Sequence, residues 1–138
     1  MMSLEVEVPV RFSEVDSLHI VWHGHYVRYF EDAREAFGRT YDLHYLDVYR
    51  KGFITPIVKL VCDYKKPLMY GDTAIVRITY IDTEAAKIMF RYEILKKGSS
   101  DVIATGETIQ VFLDNEKNLL LTVPEFFEEW KVKQGLKK

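Results

Sequence analysis

A chain of 138 residues, 48% apolar and 29% charged, has the composition of one globular domain and is read as a single domain over 1–138, which excludes a disordered chain. Its net charge of -2, with both signs interspersed, argues against a nucleic-acid partner, and its one cysteine, Cys62, excludes a disulfide framework and a thiolate metal cluster. The amino terminus lacks the basic start and apolar run of a signal peptide and no stretch is long enough to span a bilayer, so a cytoplasmic location is expected.

In "SLEVEVPVRF" the residues Leu4, Val6, Val8, Val10 and Phe12 alternate with Glu5, Glu7, Pro9 and Arg11. A period of two predicts a strand with one buried face, and Pro9 predicts an edge position or a bulge. "SEVDSLHIVWHG" breaks every pattern and reads as a loop. From about Gly24 the period becomes helical. Tyr26, Phe30, Ala33 and Phe37 form an apolar stripe widened by Val27 and Tyr29. This predicts a helix of about four turns ending near Gly38 to Tyr41, with Arg28–Asp32 and Glu35–Arg39 as i, i+4 pairs.

Residues 42–52 read as a short irregular helix. "IVKLVCDYKKP" then alternates Val58, Leu60, Cys62 and Tyr64 against Lys59, Asp63 and Lys65, a strand stopped by Pro67. "PLMYGD" is a turn, "TAIVRITYI" a strand, "DTEA" a turn and "KIMFRYEILKK" a strand. "GSSD" leads into a last strand, "VIATGETIQVFLD". After the turn "DNEKN", Thr122-Val123-Pro124 opens a short helix carried by "PEFFEEWKVKQ". Strand, long helix, four strands and a short helix, with connections short enough for hairpins, predict a two-layer α+β domain with the helix covering an antiparallel sheet.

The loop before the long helix carries the chemistry. "DSLHIVWHGHY" holds three of the four histidines, His19, His23 and His25, beside Asp16 and Trp22. A metal site needs converging ligands, and His23 and His25 at a helix start diverge by about 200° around its axis. The H-x3-H-x-H spacing matches no metal motif, so neither a metal nor a redox cofactor is expected. Asp16 can be read as an Asx-turn residue or as a base or nucleophile held near an apolar pocket. Glu31 on the helix reads as an i, i+3 partner of Arg34.

The string "VRFSEVDSLHIVWHGHYVRYFEDAR", with Arg11, Phe12, Glu14, Asp16, Val21, Trp22, His23, Tyr26, Phe30, Glu31, Ala33 and Arg34 in register, resembles the 4-hydroxybenzoyl-CoA thioesterase family. More narrowly, it is similar to the Tol-Pal-associated acyl-CoA thioesterase subgroup. "PIVKLVCDYKKPLMYGD" resembles the family's second strand and following turn. The resemblance implies a hot-dog fold: a five-stranded antiparallel sheet wrapped on one long central helix, with a short C-terminal helix. It implies an acyl-CoA thioesterase in which Asp16 attacks the thioester or activates water. The backbone N–H of His23, at the positive end of the helix, would hold the oxyanion, and the His23 imidazole could position water or protonate the leaving thiolate.

Some hot-dog thioesterases use a helix-borne acid instead, and Glu31 is the residue placed for that. Trp22 and Tyr26 would line the acyl pocket. Lys59 is one of five basic groups (with Lys65, Lys66, Lys87 and Arg91) available to the phosphates of coenzyme A. The acyl carrier could equally be a carrier protein. Pairing into a homodimer or homotetramer, with active sites between subunits, is also implied. Two rivals are a non-catalytic acyl-binding module and an (R)-specific enoyl-CoA hydratase, the latter with His five positions after Asp against seven here. One departure stands out. His19 occupies the place where the family generally has a glycine, which would allow a positive φ.

Overall fold

The structure, a computed structural model, describes residues 2–138. Strand β1 (Ser3–Pro9) is followed by two 3₁₀ turns (Phe12–Glu14 and His23–His25), helix α1 (Tyr26–Thr40) and a short helix α2 (Tyr45–Arg50). Strands β2 (Ile57–Tyr64), β3 (Thr73–Ile81), β4 (Lys87–Lys96) and β5 (Val102–Val111) follow, and α3 (Glu125–Lys133) closes the chain. The sheet is antiparallel in the order β1-β3-β4-β5-β2. This is the predicted hot-dog arrangement.

One connection differs from expectation. β2 does not form a hairpin with β3; it pairs with β5 at the far edge. The reason lies in β1, which with β4 already occupies both sides of β3. Residues 65–72 therefore cross one end of the sheet, anchored by the fully buried Leu68. Pro9 sits on the edge strand, where its missing N–H costs no ladder bond. A register shift between Ile57 and Lys59 also breaks the expected alternation of β2. Val58, which the alternation groups on one face with Leu60 and Cys62, is 59% exposed.

The apolar stripe of α1 makes the core. Phe30, Ala33 and Phe37 are fully buried against the inner face of β3 and β4, where Val76, Ile78, Tyr80, Phe90, Tyr92 and Ile94 alternate inward. Phe30 stacks on Tyr92 at 4.4 Å between centroids, and Phe37 meets Phe90 edge-on at 5.0 Å. Removing side chains of this size from water contributes about 1.5–3 kcal/mol each. Gly106 on β5 lets Phe30 approach, because a Cβ there would lie 2.4 Å from the ring. At the other end of the helix, Trp130 of α3 donates its indole N–H to the Tyr41 carbonyl at 2.7 Å.

Of the ion pairs expected on α1, Glu35–Arg39 forms at 3.0 Å. Arg28–Asp32 and Glu31–Arg34 do not form among the described residues. Arg34 instead turns inward, and its Nη1 is buried without a partner.

Candidate active site

The loop between β1 and α1 is a hydrogen-bonded hairpin. Val15 bridges Val21, the Trp22 N–H donates to the Glu14 carbonyl at 2.9 Å, and the Asp16 N–H donates to Ile20 O at 2.9 Å. At the tip, the His19 N–H returns to the Asp16 carbonyl at 2.9 Å. A three-residue hairpin of this kind ends on a residue in the left-handed region, ordinarily glycine. His19 fills that position with φ 66°. The backbone conformation is thus the one a glycine would take. The imidazole is exposed, and histidine is among the residues that tolerate this region best.

Asp16 stands at the neck of the turn, partly buried. Its Oδ1 accepts the Leu18 N–H at 2.8 Å, forming an Asx turn. The structural role read from the sequence is therefore present, but it uses one lone pair of one oxygen. Oδ2 accepts no hydrogen bond among the described residues, so the carboxylate keeps basic valency after the turn is made.

The base of the hairpin is held from three sides. Glu14 is buried, and its Oε1 accepts both the Arg11 N–H at 2.8 Å and the Tyr29 hydroxyl at 2.9 Å. Burial, then this carboxylate, pushes the Tyr29 hydroxyl well above its usual pKa, so it remains a donor. The crossing segment supplies the second support, with the Val21 N–H donating to Leu68 O at 2.8 Å and Ile20 bridging Met69. The third is the buried Tyr26, whose hydroxyl accepts the Leu68 N–H at 3.3 Å.

His23 opens the turn that feeds α1. The N–H groups of His23 and Gly24 have no carbonyl ahead of them in the helix and donate to nothing among the described residues. Free N–H groups at the positive end of a 15-residue helix form a site for developing negative charge. The His23 carbonyl is fixed by the Tyr64 hydroxyl of β2 at 2.9 Å. Partial desolvation, then contact with Cys62, pushes that hydroxyl up to about 12, so it stays protonated at neutral pH.

Trp22 is 48% exposed and folds back over Gly24, where a Cβ would lie 2.1 Å from the indole. It separates the imidazoles, with His23 at 4.9 Å and His25 at 5.5 Å between centroids. No three His, Cys, Asp or Glu side chains gather as a metal site among the described residues. Lys59 lies exposed on β2. Glu31 and Arg34 border a cleft of about 710 Å³ between α1, α2 and the sheet, with His44, Phe37 and Phe90. None of the residues proposed from sequence for substrate binding lines that cleft in the single chain.

Sequence reasoning missed the clasps made by Glu14 and Tyr64, and the cleft residue His44. Glu14 had a local signal, since an acid three residues after Arg11 has capping-type spacing. Tyr64 had none, because its partner His23 lies on another element, and His44 had none, because the cleft it borders is built from elements distant in the chain.

The model of the thioesterase-like superfamily matches residues 10–131. YneP of Bacillus subtilis (strain 168), a proposed acyl-CoA thioesterase, is 33% identical over 90% of this chain and 89% of its own. The chloroplastic acyl-acyl carrier protein thioesterase ATL3 of Arabidopsis thaliana is 31% identical over 81% of this chain and 59% of its own. The crystal structure of a DHNA-CoA thioesterase from Staphylococcus aureus shares the fold with a TM-score of 0.85, at 24% identity over 99% of this chain and 93% of that one. The clasped hairpin, the open helix start and these matches together identify the chain as a member of the thioesterase-like superfamily of hot-dog thioester hydrolases.

Proposed function

We propose that the protein hydrolyses acyl-CoA thioesters to a free acid and coenzyme A. Asp16 acts as nucleophile or general base through the oxygen not used by the turn. The His23 N–H receives the oxyanion as the carbonyl becomes tetrahedral, and a donor fixed before the reaction needs no reorganisation in the transition state. The observation that carries this reading is the free pair of N–H groups in the turn that feeds α1, directly after the clasped hairpin whose carboxylate keeps one open oxygen. Lys59, exposed on β2, meets the phosphates of coenzyme A in this reading. Trp22 and Tyr26 shape the approach to the thioester.

The enzyme works as a dimer paired through β2. This strand ends the sheet with a free edge and exposes Val58, Val61 and Tyr64. An unpaired edge with apolar side chains invites a second strand. The Tyr64 end of β2 is tied to His23, while Thr55 and Pro56, just before its Ile57 end, line the cleft. Antiparallel pairing of two copies lays the Tyr64 end of one against the Ile57 end of the other. The catalytic turn of one protomer then faces the cleft of its partner.

The test is free-thiol release from a panel of aliphatic and aromatic acyl-CoAs, with the same acyl groups on an acyl carrier protein as a parallel arm. Release by the native protein and its loss in Asp16→Asn is the expected result. Release that survives Asp16→Asn unchanged would overturn the role of Asp16. Release from the carrier protein alone would overturn the choice of coenzyme A. Light scattering checks the dimer, and a monomer that turns over at full rate would refute the shared site.

A further inference from the structure

Two side-chain polar atoms are buried without a hydrogen-bond partner among the described residues, Arg34 Nη1 and His44 Nε2, and both residues border the same cleft. They come from different elements, α1 and the residue capping α2, so no local sequence effect explains their meeting. Both are donors. The guanidinium can only donate. The His44 Nδ1 accepts the Leu46 N–H at 3.4 Å, which leaves the ring proton on Nε2. Glu35 Oε1 lies 3.9 Å from His44 Nε2, beyond hydrogen-bond reach, and that oxygen already accepts from Arg39.

Arg34 has no carboxylate within ion-pair distance among the described residues. It lies near the Tyr92 hydroxyl, which burial raises in pKa and Arg34 partly lowers again. Buried donors are costly to leave unmade, and unpaired ones gather where a ligand supplies the acceptor. Phe37, Val48, Ile88 and Phe90 give the cleft apolar walls, Glu31, Glu35, Thr55 and Gln110 add polar groups to its lining, and its volume of about 710 Å³ suits a small-molecule site.

We propose that this cleft receives the acyl group and that Arg34 and His44 together hold an oxygen carried by that group away from the thioester. The preferred substrates are oxygen-substituted acyl thioesters. The apolar walls take the carbon skeleton, and the two donors select a hydroxyl or carboxylate at its far end. The inference rests on the thioesterase reading and on the dimer that brings the cleft to the catalytic turn.

The experiment compares hexanoyl-CoA, its ω-hydroxy analogue and adipoyl-CoA, which share a chain length and differ only in the distal group. The native enzyme is expected to favour at least one oxygenated substrate over hexanoyl-CoA by about tenfold or more in kcat/KM, because a site built to donate rejects an analogue that cannot accept. Preference for adipoyl-CoA identifies a carboxylate as the natural group, and preference for the ω-hydroxy analogue identifies a neutral oxygen. Arg34→Met and His44→Ser should each bring the ratio down to within about twofold. Serine keeps an acceptor for the start of α2, so His44→Ser carries the test if Arg34→Met fails to fold.

Hexanoyl-CoA preferred by the native enzyme, or a ratio moved by neither variant, would overturn the assignment. Absence of thiol release from every acyl-CoA would overturn the hydrolase reading instead. Calorimetric binding of adipate, ω-hydroxyhexanoate and hexanoate to the native protein would still test the cleft, with loss of the oxygen-dependent difference in His44→Ser as the supporting result.

Discussion

The two ends of α1 are built on opposite principles. At its start the side chains and backbone around the site are clamped, Asp16 by the Leu18 N–H, Glu14 by Arg11 and Tyr29, and the His23 carbonyl by Tyr64, so that the groups left open, the His23 and Gly24 N–H and one Asp16 oxygen, are held in place. Past its midpoint and beyond its end the reverse holds, and Arg34 and His44 keep buried donor atoms with nothing to donate to. The first arrangement fixes geometry, as a site must when it stabilises charge that exists only in a transition state. The second leaves valency open, as a site must when it selects among ground-state ligands. Substitutions at the start of α1 should therefore act on kcat, and substitutions at the cleft on the choice between substrates.

The largest effect should come from Asp16. Asp16→Asn keeps an oxygen for the Leu18 N–H and removes the base, so kcat/KM should fall about 10²- to 10⁴-fold with little change in melting temperature. Asp16→Ala should lose the same activity and also about 1 kcal/mol of stability with the Asx turn. If the two variants differ in activity as they do in stability, the aspartate works through the turn and not through chemistry.

Next in size is Glu14→Ala, which strands the Tyr29 hydroxyl and the Arg11 N–H. Urea unfolding should show a loss of about 2–4 kcal/mol. Glu14→Gln, which still offers an amide oxygen, should recover most of it. A smaller effect is expected from Tyr64→Phe, which frees the His23 carbonyl while leaving a ring that is already 49% exposed. Here kcat should fall about three- to tenfold with KM and melting temperature nearly unchanged, because one neutral hydrogen bond is lost and little packing goes with it. A change confined to KM would place Tyr64 in substrate binding and blur the contrast between the two ends.

How much of this was legible in the sequence follows from the range of the interactions. The period-two and 3.6-residue patterns report local geometry, so β1, the buried face of α1 and the strands β3 to β5 could be read directly from residues such as Val6, Phe30 and Phe90. The partner of β2 could not, since strand order depends on competition between edges far apart in the chain. The Glu31–Arg34 pair failed for the same reason. Helical spacing offered Arg34 a neighbour, but the side chain follows the cleft made by α2 and the sheet. At the site, the positions of Asp16 and His23 came from the resemblance. The clasp between His23 and Tyr64, 41 residues apart, left no trace in either local pattern.

The smallest expected effect returns to His19. Its backbone already has the left-handed φ of 66° that this turn demands, so a glycine there should change the cost of the turn and not its shape. Left-handed geometry costs a residue with a Cβ about 1–2 kcal/mol, less for histidine than for most, while glycine loses about 0.5–1 kcal/mol more chain entropy on folding. His19→Gly should accordingly raise stability by no more than about 0.5 kcal/mol and leave kcat/KM within about twofold. His19→Val, branched at Cβ, should lose about 1–2 kcal/mol and, by loosening the hairpin tip, part of the activity. A large gain in kcat/KM with His19→Gly would show that the imidazole obstructs the thioester beside Asp16. In that case the start of α1 would select substrates as well as fix geometry, and the division of labour along the helix would not hold.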